Sequence, residues 1–173
     1  MAEIHVTASA VIPAPPSIVY GLIADYRRGH PSILPPEYFQ NLQVHAGGIG
    51  AGTRITFQMR VLGQTHHFFA RISEPEPGRR LVERYPETGM VTTFKVDPEG
   101  AGKRSRVTIT TAYTKAGLAG WFERLVAPRF LRTVYAAELG LLELEATARM
   151  AGTTVAEHTE ASSRGQASRA AAG

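Results

Sequence analysis

His66, Glu83, Tyr85, Tyr113, Tyr135 and Glu138 are the side chains of this chain that can carry a proton and that the local sequence pattern turns toward, or close to, an interior. A histidine or carboxylate near a tyrosine hydroxyl suits proton abstraction beside a carbonyl, and burial tunes such groups for the task. His66 and Glu83 are the candidate catalytic bases, with a tyrosine polarising a carbonyl. The same groups also serve as hydrogen-bonding partners at a sheet–helix border, with no chemistry attached.

Other chemistries find little support. The chain contains no cysteine, which removes disulfide scaffolds, thiolate-bound zinc, iron–sulfur clusters and thiol nucleophiles. His66 and His67 are neighbours on a strand and point to opposite faces, so they cannot close on one ion. His5, His30, His45 and His158 show no ligand spacing, and no metal or cofactor is expected. No Gly-x-Ser-x-Gly elbow occurs. The glycine-rich stretch Gly47-Gly48-Ile49-Gly50-Ala51-Gly52 leads from strand to strand and lacks the helix terminus that phosphate loops use. Gly102-Lys103 is followed by Arg104 where a P-loop needs serine or threonine.

The elements that must position these groups follow from periodicity. Ile4, Val6, Ala8, Ala10 and Ile12 alternate with polar residues as in a half-buried strand. Ile18, Val19, Leu22 and Ile23 fall at helical spacing behind Pro15 and Pro16, which predicts a short helix over residues 17–26. A second short helix or turn is expected around residues 32–39, and a strand over residues 40–46. Residues 53–62 alternate strictly. Gly63-Gln64 reads as a type II′ turn, which pairs Leu62 with Thr65, Val61 with His66, Met59 with Phe68, Phe57 with Ala70 and Ile55 with Ile72. His66 is then the inward histidine.

A strand over residues 79–85 carries Leu81, Glu83 and Tyr85 on one face. The segments 90–96 and 103–113 read as a hairpin that pairs Phe94 with Ile109, Val96 with Val107, Thr92 with Thr111 and Met90 with Tyr113. Ala127, Phe130, Leu131, Val134, Ala137, Leu141, Leu144 and Ala148 recur at three- and four-residue steps, which predicts a long amphipathic helix with Tyr135 and Glu138 bordering its apolar stripe. Trp121, Phe122, Leu125 and Val126 extend the apolar pattern upstream, with Pro128 as the break. Beyond it, residues 151–173 lack apolar periodicity and read as a flexible tail behind a single domain at residues 1–150.

A chain of 173 residues is long enough to bury a core and leave room for a pocket. Ile55, Phe57, Met59, Phe68, Phe94, Ile109, Phe130 and Val134 are the candidate ligand wall, with His66, Tyr85 or Tyr113 orienting a polar end. The net charge of +4 is dispersed, and Arg79-Arg80 and Lys103-Arg104 lie beside turns, so nucleic acid is not an expected partner. The first residues have no basic and apolar leader, and no run of ~18 apolar residues occurs, so a cytoplasmic location without an integral membrane segment is expected. The outward Phe69 and the helix surfaces are candidate contacts for a homodimer.

Several motifs resemble those of one superfamily: Pro13-Ala14-Pro15-Pro16-Ser17-Ile18-Val19-Tyr20 leading into Ile23-Ala24-Asp25-Tyr26, Gly50-Ala51-Gly52-Thr53, Pro75-Glu76-Pro77-Gly78-Arg79-Arg80-Leu81, Thr93-Phe94-Lys95-Val96 and Arg106-Val107-Thr108-Ile109-Thr110. Over residues 4–150 the chain resembles the START-related or SRPBCC superfamily, the polyketide cyclase/dehydrase-like proteins of helix-grip fold. The resemblance implies an α+β helix-grip fold: a seven-stranded antiparallel sheet wrapped around a long C-terminal helix, with two short helices between the first and second strands. It also implies a deep apolar cavity. Members bind or carry lipids, sterols, quinones and plant hormones, some cyclise or dehydrate aromatic polyketides, and others are chaperone co-activators. They share no catalytic set, so the resemblance assigns no catalytic residue. The expected function is binding or carriage of a small hydrophobic molecule, lipid, quinone or polyketide-like. A cofactor-independent cyclase/dehydratase using the same cavity is the alternative, and a protein-interaction module the third reading.

Overall fold

In the computed structural model, residues 3–61, 63–114 and 128–152 are described in full, and residues 153–170 as helix backbone. Alternating hydrophobicity builds seven strands: β1 (Glu3–Ile12), β2 (Phe39–Ala46), β3 (Arg54–Val61), β4 (Gln64–Glu76), β5 (Arg80–Tyr85), β6 (Met90–Glu99) and β7 (Arg104–Thr114). The helices are α1 (Pro16–Ala24) and α2 (Gly29–Ile33) between β1 and β2, and the long α3 (Pro128–Ala170). All strand pairings are antiparallel, in the order β1-β7-β6-β5-β4-β3-β2. Helix α3 packs on β1, α1 and α2, and the core fills the space between helices and sheet. This is the expected α+β helix-grip architecture.

The β6–β7 register is as expected, with Thr92 opposite Thr111, Phe94 opposite Ile109 and Val96 opposite Val107. The β3–β4 register is not. Val61 faces Gln64, Met59 faces His66, Phe57 faces Phe68 and Ile55 faces Ala70. Gly63, at φ 78°, directly precedes the first residue of β4, so the turn falls one residue earlier than a glycine-first turn would place it. Moving a turn by one residue shifts each partner by two, which preserves the face every side chain occupies.

Helix α2 lies three residues earlier than expected. Its first residue allows close approach to α1: a Cβ on Gly29 would sit 2.5 Å from the Leu22 carbonyl oxygen. Leu34 already has extended backbone, and Pro35 and Pro36 follow, so the helix cannot continue to Phe39.

On α3 the buried stripe is Leu131, Val134, Tyr135, Glu138, Leu139, Leu142 and Ala146. The expected stripe is rotated from this by about one residue. Leu144 and Ala148 face solvent, whereas Tyr135 and Glu138 lie within the buried face rather than at its border. Leu62, the upstream residues Trp121, Phe122, Leu125, Val126 and Ala127, and the side chains of the expected tail lie outside the described residues. None of the described helices is long and apolar enough to cross a membrane.

Candidate functional site

The sheet supplies an aromatic wall facing α3. Phe57 and Phe68 are cross-strand partners, and their rings stack 5.3 Å apart at 14°. The Tyr85 ring stands edge-on to both at 6.2 Å, and the Phe39 ring lies 5.7 Å from Phe57. Met59, Met90, Phe94 and Thr92 complete the sheet side, and Leu131, Val134, Tyr135 and Glu138 close the cavity from α3. The partly enclosed void is about 40 Å³. That is room for water, and far below the ~300–1,000 Å³ of a pocket for a drug-sized ligand.

The cavity ends on a buried polar cluster. Both oxygens of Glu83, a residue only 5% exposed, accept a phenol proton: Tyr26 Oη donates to Oε1 and Tyr85 Oη to Oε2, each at 2.5 Å. The His30 ring stacks on Tyr26 at 4.3 Å, and its Nδ1 donates to the Ile23 carbonyl at 2.8 Å. Its Nε2 lies 3.7 Å from Glu83 Oε1. Beside this cluster Tyr135 and Thr111 share a hydrogen bond, and Thr111 shares another with Thr92 at 2.8 Å. Glu138, 3% exposed, has an Oε1 without any hydrogen-bond partner.

Burial, and then the charge of Glu83, hold the Tyr26 and Tyr85 hydroxyls far above the ordinary tyrosine range, so both remain donors. Burial likewise raises Tyr135 and Tyr113. Desolvation lowers His30 and outweighs the opposing pull of nearby Glu83, which keeps the imidazole neutral. Glu138 is pushed well above the carboxylate range, first by burial and then by repulsion from Glu83, so its neutral acid form is favoured. The site thus offers a carboxylate with a phenol on each oxygen and, on the cavity wall, a carboxyl with one oxygen lacking a partner. Among the described residues no three histidine, aspartate or glutamate side chains gather as a metal-binding group, and no lysine or arginine lines this cavity.

The structure brings Phe57, Met59, Phe68, Tyr85, Phe94 and Val134 together on the cavity wall. Ile55, Ile109 and Tyr113 are buried in the core without lining it, and Phe130 is half-buried with its ring edge-on to Tyr38 at 5.5 Å. Glu83 sits within the polar cluster, but His66 does not. It lies opposite Met59 near the turn of the hairpin and is only half-buried. Among the described residues the fully buried histidine is His30, in α2. Tyr26 and His30 escaped sequence reasoning because they occupy a short connection and a five-residue helix, where no periodicity reports burial. The outward Phe69 is covered by the Arg71 guanidinium, 5.7 Å from its ring centre.

A family model described as polyketide cyclase/dehydrase and lipid transport matches residues 3–162. Among solved structures, the solution structure of KanY protein is 28% identical, with a TM-score of 0.72 over 85% of this chain and 99% of that one. An aromatase/cyclase from a Streptomyces species is 21% identical, with a TM-score of 0.65 over 86% of this chain and 96% of its own. A norcoclaurine synthase point mutant from Thalictrum flavum, in complex with a transition-state analogue, is 17% identical at a TM-score of 0.65, covering 86% and 97%. The last two likenesses carry the fold alone. No curated protein matches the chain in sequence.

Proposed function

The chain belongs to the polyketide cyclase/dehydrase and lipid-transport family, and from that premise we propose that it binds one small, mostly apolar molecule between the aromatic wall and α3. The observation that carries this reading is a cavity walled by Phe39, Phe57, Phe68 and Phe94 that ends on the polar groups of Tyr135 and Glu138. An apolar body and one polar end describe the complementary ligand. The void of about 40 Å³ sets a further condition: the wall must give way as the ligand enters. Met59 and Met90, with three rotatable bonds each, and half-buried Phe39 are the wall residues best suited to give way.

Native mass spectrometry of freshly purified protein, followed by organic extraction, is expected to show a one-to-one adduct of low polarity. A clean apo mass, together with no binding from a set of bicyclic and acyl-chain compounds, overturns the reading.

The polar cluster favours a second reading, in which the same cavity is the active site of a cofactor-independent cyclase or dehydratase. Its motive is the pair of carboxyls, Glu83 fixed by two phenols and Glu138 unsatisfied beside the cavity. Two acids in unlike environments can divide the roles of base and acid. His66 has no part in this version. Time-resolved mass analysis of added aromatic poly-β-ketones decides it: mass loss of one water supports the enzyme, and unchanged bound compound counts against it.

A further inference from the structure

Of the buried side-chain polar atoms among the described residues, two have no hydrogen-bond partner: Arg80 Nε and Glu138 Oε1. Only Glu138 belongs to the cavity wall. Its polar neighbours are hydrogen-bonded mainly to one another. From the α1–α2 connection, α2 and β5, the Tyr26 and Tyr85 hydroxyls are used by Glu83, and His30 Nδ1 by the Ile23 carbonyl. From β6, β7 and α3 itself, Thr92, Thr111 and Tyr135 are joined in a row by two hydrogen bonds. A buried polar atom left unsatisfied costs stability, so its partner comes from whatever occupies the cavity.

We propose, resting on the binding function above, that Glu138 selects the ligand by donating its carboxyl proton to a neutral carbonyl oxygen, that of a ketone, quinone or ester. The partly enclosed position leaves the acid little hydration, and the neighbouring Glu83 charge disfavours a second negative charge in the same site. A carboxylate ligand meets that charge with no lysine or arginine among the described wall residues to receive it. An alkane or arene of the same shape leaves Glu138 unsatisfied.

Four ligands of matched shape test this: indane, 1-indanone, indane-1-carboxylate and 1-aminoindane, titrated against the full chain by nuclear magnetic resonance. The ketone is expected to bind about tenfold tighter than indane, and the carboxylate more weakly than either. Glu138→Gln keeps an N–H donor and keeps the ketone preference, whereas Glu138→Leu loses the preference and still binds indane. In the wild type the preference fades as pH rises and Glu138 ionises; in Glu138→Gln it is independent of pH. Equal affinity for ketone and indane means that water alone satisfies Glu138, and it overturns the inference. Tighter binding of the amine also overturns it, because Glu138 is then an anionic counter-ion. In both cases the apolar binding function stands. If none of the four binds, that function fails with it.

Discussion

Glu83 is held in the interior by two phenols, and removing them one at a time has a calculable effect. Each hydroxyl lies 2.5 Å from a different carboxylate oxygen, and both tyrosines are buried. Hydrogen bonds to a charged acceptor contribute about 1.5–3 kcal/mol, and a lone buried oxygen cannot be rehydrated at so enclosed a site. Tyr26→Phe and Tyr85→Phe should therefore each cost about 2 kcal/mol, or about 4–8 °C in Tm for a chain of this size. The double variant should cost more than the sum by at least ~1 kcal/mol, because each single variant retains one donor and the double retains neither. Glu83→Leu in the double-variant background should recover stability, since it removes the buried charge instead of its partners. Urea unfolding at pH 7, followed by far-ultraviolet circular dichroism, measures all four. Single variants within ~0.5 kcal/mol of wild type and an additive double would refute the idea that the phenols hold this carboxylate.

Val134→Phe projects a ring into the void of about 40 Å³, so it should abolish ligand binding while unfolding only about 1–3 kcal/mol more easily; undiminished affinity in calorimetry places the ligand elsewhere. Gly29→Ala puts a Cβ 2.5 Å from the Leu22 carbonyl oxygen, a backbone contact that no rotamer relieves. It should cost about 2 kcal/mol or more and displace His30, read as changed imidazole resonances; unaltered stability and resonances would show the close approach to be slack. Two groups give stability opposite slopes with pH. His30, lowered from 6.5, lets the unfolded chain bind a proton that the fold refuses, so its contribution is lost as pH falls below that value. Glu138, raised above 4.5, keeps a proton that the unfolded chain has released, so stability is lost as pH climbs from there toward its folded value. Glu138→Gln should thus gain on the wild type as pH rises from 5 to 8 in urea titrations, by up to about 1.4 kcal/mol per pH unit; a gap that does not change with pH contradicts a neutral buried Glu138.

The fold was legible where periodicity and punctuation agree. The alternation from Arg54 to Val61 and the Thr92–Thr111 and Phe94–Ile109 pairing are visible in the residues themselves. The β3–β4 turn was misplaced because glycine marks a left-handed corner without saying which corner it is. Parity survived the error, so the inward face of Phe57 and Phe68 did too. The stripe on α3 was misread for a reason tied to the site. Its buried face contains Tyr135 and Glu138, and an apolar pattern search favours the neighbouring stripe through Leu144. Glu83 was recognisable because it alternates with Leu81 and Tyr85, whereas its partners Tyr26 and His30 reach it from 57 and 53 residues away through packing that no local pattern encodes.

The methionine methyl groups offer the most direct test of the cavity as the binding site. Met59 and Met90 line it, and Met150 lies exposed on α3 as an internal reference. In the protein labelled with carbon-13 at the methionine methyls, titration with 1-indanone should move the Met59 and Met90 resonances together, saturating at one equivalent, while Met150 stays in place. Saturable binding that moves Met150 and leaves Met59 and Met90 unchanged would contradict an internal site.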